Sequence, residues 1–165
     1  MTMKILRILF SASVFFVAGS VLAGESGSPS FVSDKNIQKI AETYALDAIQ
    51  LAKTQLGISL DWTDDSIGEV EKAMTSIHTS YMTTSPRPTD EQVMLFATRY
   101  GSYVGEVYRR NHGAEWGMVT LGGQKFPGLQ TKSGINFWPW ARISNRIVDG
   151  AENNVLDYYK VLLKK

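Results

Sequence analysis

The chain has 165 residues, a net charge of +1, 44% hydrophobic and 20% charged residues, the size and composition of one globular domain. With no cysteine and only two histidines it offers no disulfide framework, no thiolate nucleophile and no cysteine-based zinc or iron–sulfur site. The near-balance of charge gives no electrostatic grip on nucleic acid.

Lys4 and Arg7 precede an apolar run from Ile8 to about Ala18, and Gly19-Ser20-Val21-Leu22-Ala23 follows. A basic start, a short apolar core and small residues at Val21 and Ala23 describe a secretory signal peptide cut after Ala23. The run is shorter than the ~20 residues a spanning helix needs, so no stable membrane anchor is expected once it is removed. The product is expected in the periplasm or outside the cell. Residues 24–33 read as a flexible lead and 34–165 as a single domain.

In the domain, Ser33-Asp34 offers a helix N-cap. Ile37, Ile40, Ala41, Tyr44, Ala48, Leu51 and Ala52 then recur on one helical face, and Gly57 ends the helix. Ile58, Leu60 and Trp62 alternate with polar residues, as in a short extended segment. Thr63 or Asp64 can cap a second helix with Ile67, Val70, Met74, Ile77 and Tyr81 on one face. Ser85-Pro86-Arg87-Pro88 breaks it, and Thr89-Asp90-Glu91-Gln92 has the capping-box pattern that opens a third helix reaching about Asn111. Strand-like stretches follow at Glu115–Leu121, Lys125–Leu129 and Ile135–Phe137, with Gly122-Gly123 as a hairpin turn. Pro139 suits the first position of a fourth helix, which Asp149-Gly150 interrupts before a last one holding Val155, Tyr158, Tyr159 and Leu162. The expectation is an α+β fold: three helices, a small antiparallel sheet of about three strands, and one broken or two short helices.

No familiar catalytic, phosphate-binding or dinucleotide-binding spacing occurs, and no catalytic residue, metal site or cofactor is assigned. His78 lies on the apolar face of the second helix, as a hydrogen-bonded core histidine would. His112 sits at the carbonyl end of the third, where partial protonation suits the helix dipole. Asp61, Asp64 and Asp65 miss the calcium-loop pattern and read as capping residues. Asn111 is placed to satisfy last-turn carbonyls. Trp116, Phe126, Phe137, Trp138 and Trp140 read as core aromatics, with a ligand groove as the alternative. Arg142 and Arg146 point away from Trp140, Ile143 and Ile147.

Two glycines inside the third helix, Gly101 and Gly105, cost about 1 kcal/mol each relative to alanine and imply close packing along one edge. Arg99, Ser102, Glu106, Arg109 and Arg110 fall on the opposite, outward face. The run Gly101-Ser102-Tyr103-Val104-Gly105-Glu106-Val107-Tyr108-Arg109-Arg110-Asn111-His112-Gly113-Ala114-Glu115-Trp116 resembles a family of small bacterial domains of unknown function. Leu60-Asp61-Trp62-Thr63-Asp64-Asp65-Ser66 resembles that family's lead into its second helix, and the resemblance spans roughly Leu60 to Leu163. It implies an α+β domain without an established activity. It also singles out Glu106, and the occurrence of related-looking domains beside toxin systems implies an immunity-type role.

The reading is therefore an exported, non-enzymatic module that binds a protein partner, as an immunity or accessory protein of the envelope. Glu106, Arg109, Arg110 and Trp116 are its candidate binding residues. On an exposed ridge, Glu106→Gln would leave the fold intact. The alternative is a small hydrolase or carbohydrate-binding protein using Glu106 or an aromatic groove.

Overall fold

A computed structural model describes residues 29–164; the expected signal peptide Met1–Ala23 lies outside them. In chain order the elements are β1 (Ser30–Ser33), α1 (Lys35–Leu56), α2 (Ser66–Thr83), α3 (Asp90–His112), β2 (Ala114–Leu121), β3 (Gln124–Thr131), β4 (Asn136–Phe137), α4 (Pro139–Asp149) and α5 (Val155–Leu163), with a single 3₁₀ turn at Ala151–Asn153. The fold is α+β, built on one antiparallel sheet in the order β1-β2-β3-β4.

The local signals act as elementary chemistry requires. The Asp34 carboxylate accepts from the N–H groups of Asn36 and Ile37, and Gly57 ends α1 in the left-handed conformation at φ 65°. Thr89 and Gln92 satisfy each other's backbone N–H groups in a reciprocal capping box. Gly122 and Gly123 both take positive φ, 56° and 76°, as a tight two-residue hairpin demands.

The sheet has four strands because part of the expected lead is a strand. Ser30–Ser33 pairs antiparallel with Thr120–Gly117, and Gly117 makes room for it. A Cβ there would meet the Val32 carbonyl and lie 2.8 Å from the Phe31 ring. Residues 58–62 form no strand; Leu60 is buried, while Trp62 turns into the left-handed region.

α3 is the hub, packed against α1, α4, β2 and β3. It meets α1 antiparallel along a stripe of small side chains, Ala41, Ala45, Ala48 and Ala52, all fully buried. This stripe, rather than the bulkier residues, sets the buried face of α1, and Ile40 is left exposed. On its other side Gly101 lies under the start of α4: a Cβ would sit 2.8 Å from the Pro139 carbonyl and from the Trp140 backbone. At Gly105 a Cβ would run into the Trp116 indole and sit 3.0 Å from Leu129. Approached from every direction, α3 is buried without a break from Tyr100 to Tyr108. The outward face expected for Ser102 and Glu106 does not exist; both are 0% exposed.

Arg146 also departs from expectation. It is buried beside Ile143 and Ile147, because Glu71 on α2 draws its guanidinium inward: Nε reaches Glu71 Oε1 at 2.8 Å and Nη2 reaches Thr75 at 2.9 Å. The other Glu71 oxygen accepts the Val155 N–H at 2.8 Å, so one carboxylate joins α2, α4 and α5. Arg142 stacks over Tyr158, 4.3 Å from the ring centre.

Candidate functional site

A fully buried carboxylate is stable as an anion only if its lone pairs are met by donors, and Glu106 shows how this is done. Arg109 approaches as a fork, Nε to Oε1 and Nη2 to Oε2, both at 2.8 Å. Arg110 Nε adds a bond to Oε2 at 3.1 Å, and the Trp116 indole N–H adds one to Oε1 at 2.9 Å. Arg109 reaches on to Glu42 of α1 at 3.2 Å, so two cations and two anions balance across the α1–α3 seam. Burial pushes the Glu106 carboxyl up, but the donors from Arg109, Trp116 and Arg110, with the Arg109 charge, prevail and hold it below the ordinary carboxylate range. Glu106 is a structural anion: it presents nothing to solvent and retains no proton to donate near neutrality. Trp116, also expected at the binding surface, is in the core at 1% exposure.

What this network carries to the surface is Arg110. Its guanidinium lies 3.6 Å above the centre of the Trp62 ring, while Nε remains tied to Glu106. Trp62 has φ 69°, a left-handed conformation that a bulky residue adopts only when its surroundings compel it. The compulsion is visible. Its N–H donates to the Tyr103 hydroxyl at 2.9 Å, its carbonyl accepts from the Asn111 amide at 3.0 Å, and its ring lies 5.1 Å from that of Tyr103. Tyr103 is itself fixed by a buried 2.6 Å contact with the Ser66 hydroxyl.

Asp64 completes the face. One carboxylate oxygen accepts from Asn111 at 3.0 Å and from the Tyr159 hydroxyl at 2.6 Å, and the other pairs with His112 Nε2 at 2.8 Å. Desolvation opposes its ionisation, but these donors, chiefly Asn111 and Tyr159, leave its carboxyl lowered; burial and the Asp64 anion push the Tyr159 phenol up. Asp64 therefore ties the α2 lead, the end of α3 and α5 together, where the sequence suggested only a cap. Asn111 likewise bonds across to this loop rather than to the last carbonyls of its own helix. His78 makes the expected core contact, Nδ1 to the Ile147 carbonyl at 2.8 Å.

Of the sequence candidates, Arg110 reaches this face, Arg109 supports it from half-buried positions, and Glu106 and Trp116 lie behind it. Sequence reasoning missed Trp62, Asp64 and Tyr159. A signal was present: the two quoted stretches, residues 60–66 and 101–116, are the ones that clasp each other here. Of the aromatic residues read as core, with a ligand groove as the alternative, Trp116 and Phe137 are buried outright. Trp116 lies 5.6 Å from Trp140, and the Trp140 N–H is taken by Ser102 at 2.8 Å. Among the described residues no cluster of three His, Asp or Glu side chains could hold a metal, and no helix is long and apolar enough to cross a membrane.

These features define an α+β domain with a clamped aromatic–cationic face. No family model matches the chain, and no curated protein matches it. The fold is similar to that of a protein from Bacteroides thetaiotaomicron VPI-5482, whose crystal structure was determined at 1.50 Å resolution, with a TM-score of 0.60 and 14% identity. The match covers 88% of this chain and 51% of that one, so this chain spans about half of its length. The likeness is one of fold.

Proposed function

We propose that the chain is an exported, non-enzymatic module that binds a protein partner through the face of Trp62, Arg110 and His112. The observation that carries this is the left-handed backbone of Trp62, clamped by Tyr103 and Asn111 so that its ring stands beneath the Arg110 guanidinium at the surface. A fold gains nothing in stability from such strain, and rigid Trp and Arg side chains are the types that dominate binding hot spots. Holding them in place before the encounter lowers the ordering cost of association. Arg110 over the ring, and Asp61 and Asp65 exposed close by in sequence, supply mixed charge suited to partner choice. The signal-peptide pattern at Met1–Ala23 supports export, and the resemblance to domains found beside toxins makes immunity the sharpest version of the role. The hydrolase or sugar-binding alternative is less well supported, since Glu106 is a fully bonded anion and Trp116 and Phe137 are in the core.

The test is affinity capture from an extracytoplasmic fraction with wild type and Trp62→Gly. Glycine accepts this backbone freely, so the variant retains the loop and loses the ring. The expected result is a partner recovered by wild type and lost with Trp62→Gly while the circular dichroism spectrum is unchanged. Equal recovery by both proteins would sink the proposal.

A further inference from the structure

The sheet is open, and β1 is one of its two edges. Asp34 donates its N–H to the Trp116 carbonyl at 2.9 Å, and backbone groups alternate in direction along an antiparallel strand, so Ser30 and Val32 also bond toward β2. The N–H and C=O groups of Phe31 and Ser33 therefore point away from the sheet. Among the described residues none of these four groups meets a partner. Val32 stands opposite Met118, on the side of the sheet that carries Trp116 and the helices, yet it is 66% exposed, so no helix covers this edge. Apart from its shortness, Ser30–Ser33 has none of the lysines, prolines or inward charges that guard natural edge strands.

We propose that β1 pairs with β1 of a second copy of this chain, antiparallel across a two-fold axis at Val32, joining the two four-stranded sheets into one. In that register Phe31 faces Ser33 of the second copy, and Ser33 faces its Phe31. Each such pair exchanges two N–H···O=C bonds, so every outward group of Phe31 and Ser33 is met. Val32 meets Val32 at the non-hydrogen-bonded position between them, where Cα atoms approach to about 4.5 Å and the side chains are closest. A two-fold contact sets the central residues against their own copies, so a charge at the axis would face its like. Ser30–Ser33 has no charge, and the Asp34 carboxylate that follows is engaged in capping α1. This self-complementary register, with an exposed apolar side chain on the axis, is what favours a second copy over an unrelated strand. A contact of this length is small beside the roughly 1,200 Å² of a stable complex, so the dimer belongs to high protein concentration. The pairing does not rest on the Trp62 face.

The test uses the full mature protein at concentrations from about 10 μM to about 1 mM, followed by sedimentation equilibrium. The average mass is expected to climb from one chain toward two across this range. Val32→Lys should weaken the association at least about tenfold, by setting like charges face to face, while its circular dichroism spectrum stays that of wild type. The chain has no cysteine, so single cysteines report the register directly. Under mild oxidation Val32→Cys should give a disulfide-linked dimer, whereas Ser33→Cys, set beyond the roughly 7 Å between Cα atoms that a disulfide spans, should remain largely monomeric. The proposal is overturned if wild type stays monomeric at the highest concentration, if a dimer forms equally well with Val32→Lys, or if the two cysteine variants cross-link alike. A monomeric protein whose residues 30–34 gain exchange protection only from a captured partner would give this edge to that partner's strand and overturn it as well.

Discussion

Replacing Glu106 by glutamine retains the shape of the side chain and removes its charge. The two carboxylate oxygens accept four hydrogen bonds, from Arg109 twice, Arg110 and Trp116. A glutamine oxygen can serve the pair at Oε1 or the pair at Oε2, and its amide hydrogens then face two further N–H donors. Removing one partner of a buried ion pair costs about 3–5 kcal/mol. Arg109 retains Glu42, and both arginines are partly solvated, with side-chain exposures of 24% and 37%, which brings the expected loss to roughly 2–4 kcal/mol. Urea unfolding followed by circular dichroism would report this as a lower midpoint at unchanged slope, accompanied by a fall in Tm on the order of 10 °C. An exposed ridge would tolerate the change. Stability of Glu106→Gln within about 0.5 kcal/mol of wild type would refute the account of Glu106 as the anion that fixes the end of α3.

Because the Glu106 and Asp64 carboxyls are lowered in the folded protein, their contribution is complete above the unfolded values near 4.5 and 3.8 and is lost as pH falls through the folded ones. Unfolding free energy should be level near neutrality and decline below about pH 4.5, less steeply in Glu106→Gln; a flat acid limb in wild type would contradict this. Gly101→Ala should destabilise by about 1–3 kcal/mol despite the gain in helix propensity of about 1 kcal/mol, since its Cβ meets backbone that cannot step aside. A stabilised variant in denaturant melts would count against it. Intact-mass measurement of the exported protein should find a chain starting at Gly24, and a dominant species retaining Met1–Ala23 would refute cleavage.

The caps of α1 and α3, the hairpin turn and the helix extents were legible in the sequence because they are set by neighbours within a few residues: Asp34, Thr89 with Gln92, Gly122-Gly123 and Pro139 each act locally, whereas α2 starts at Asp65, without a side-chain cap bond, and not at the expected Thr63 or Asp64. β1 was not, since Ser30–Ser33 is short, follows a sequence rich in Gly and Ser, and is paired only with a strand far along the chain. Glu106 was misplaced for a related reason. A helical wheel assumes one buried face, and α3 is enclosed by elements on several sides. Gly101 and Gly105 held the clue, because a helix that needs small residues there is being approached on that side, and Ser102 and Glu106 follow each glycine by one residue. The Trp62 face required knowing that residues 60–66 meet residues 110–112, a pairing no periodicity encodes. Arg146 likewise depends on Glu71, a partner on another helix.

Hydrogen exchange on the chain, alone and with its captured partner, tests the binding face most directly. The account predicts new protection at residues 61–66 and 110–113, with little change around the hairpin at Gly122-Gly123. Protection confined to other surfaces, with residues 61–66 and 110–113 exchanging as in the free chain, would contradict it.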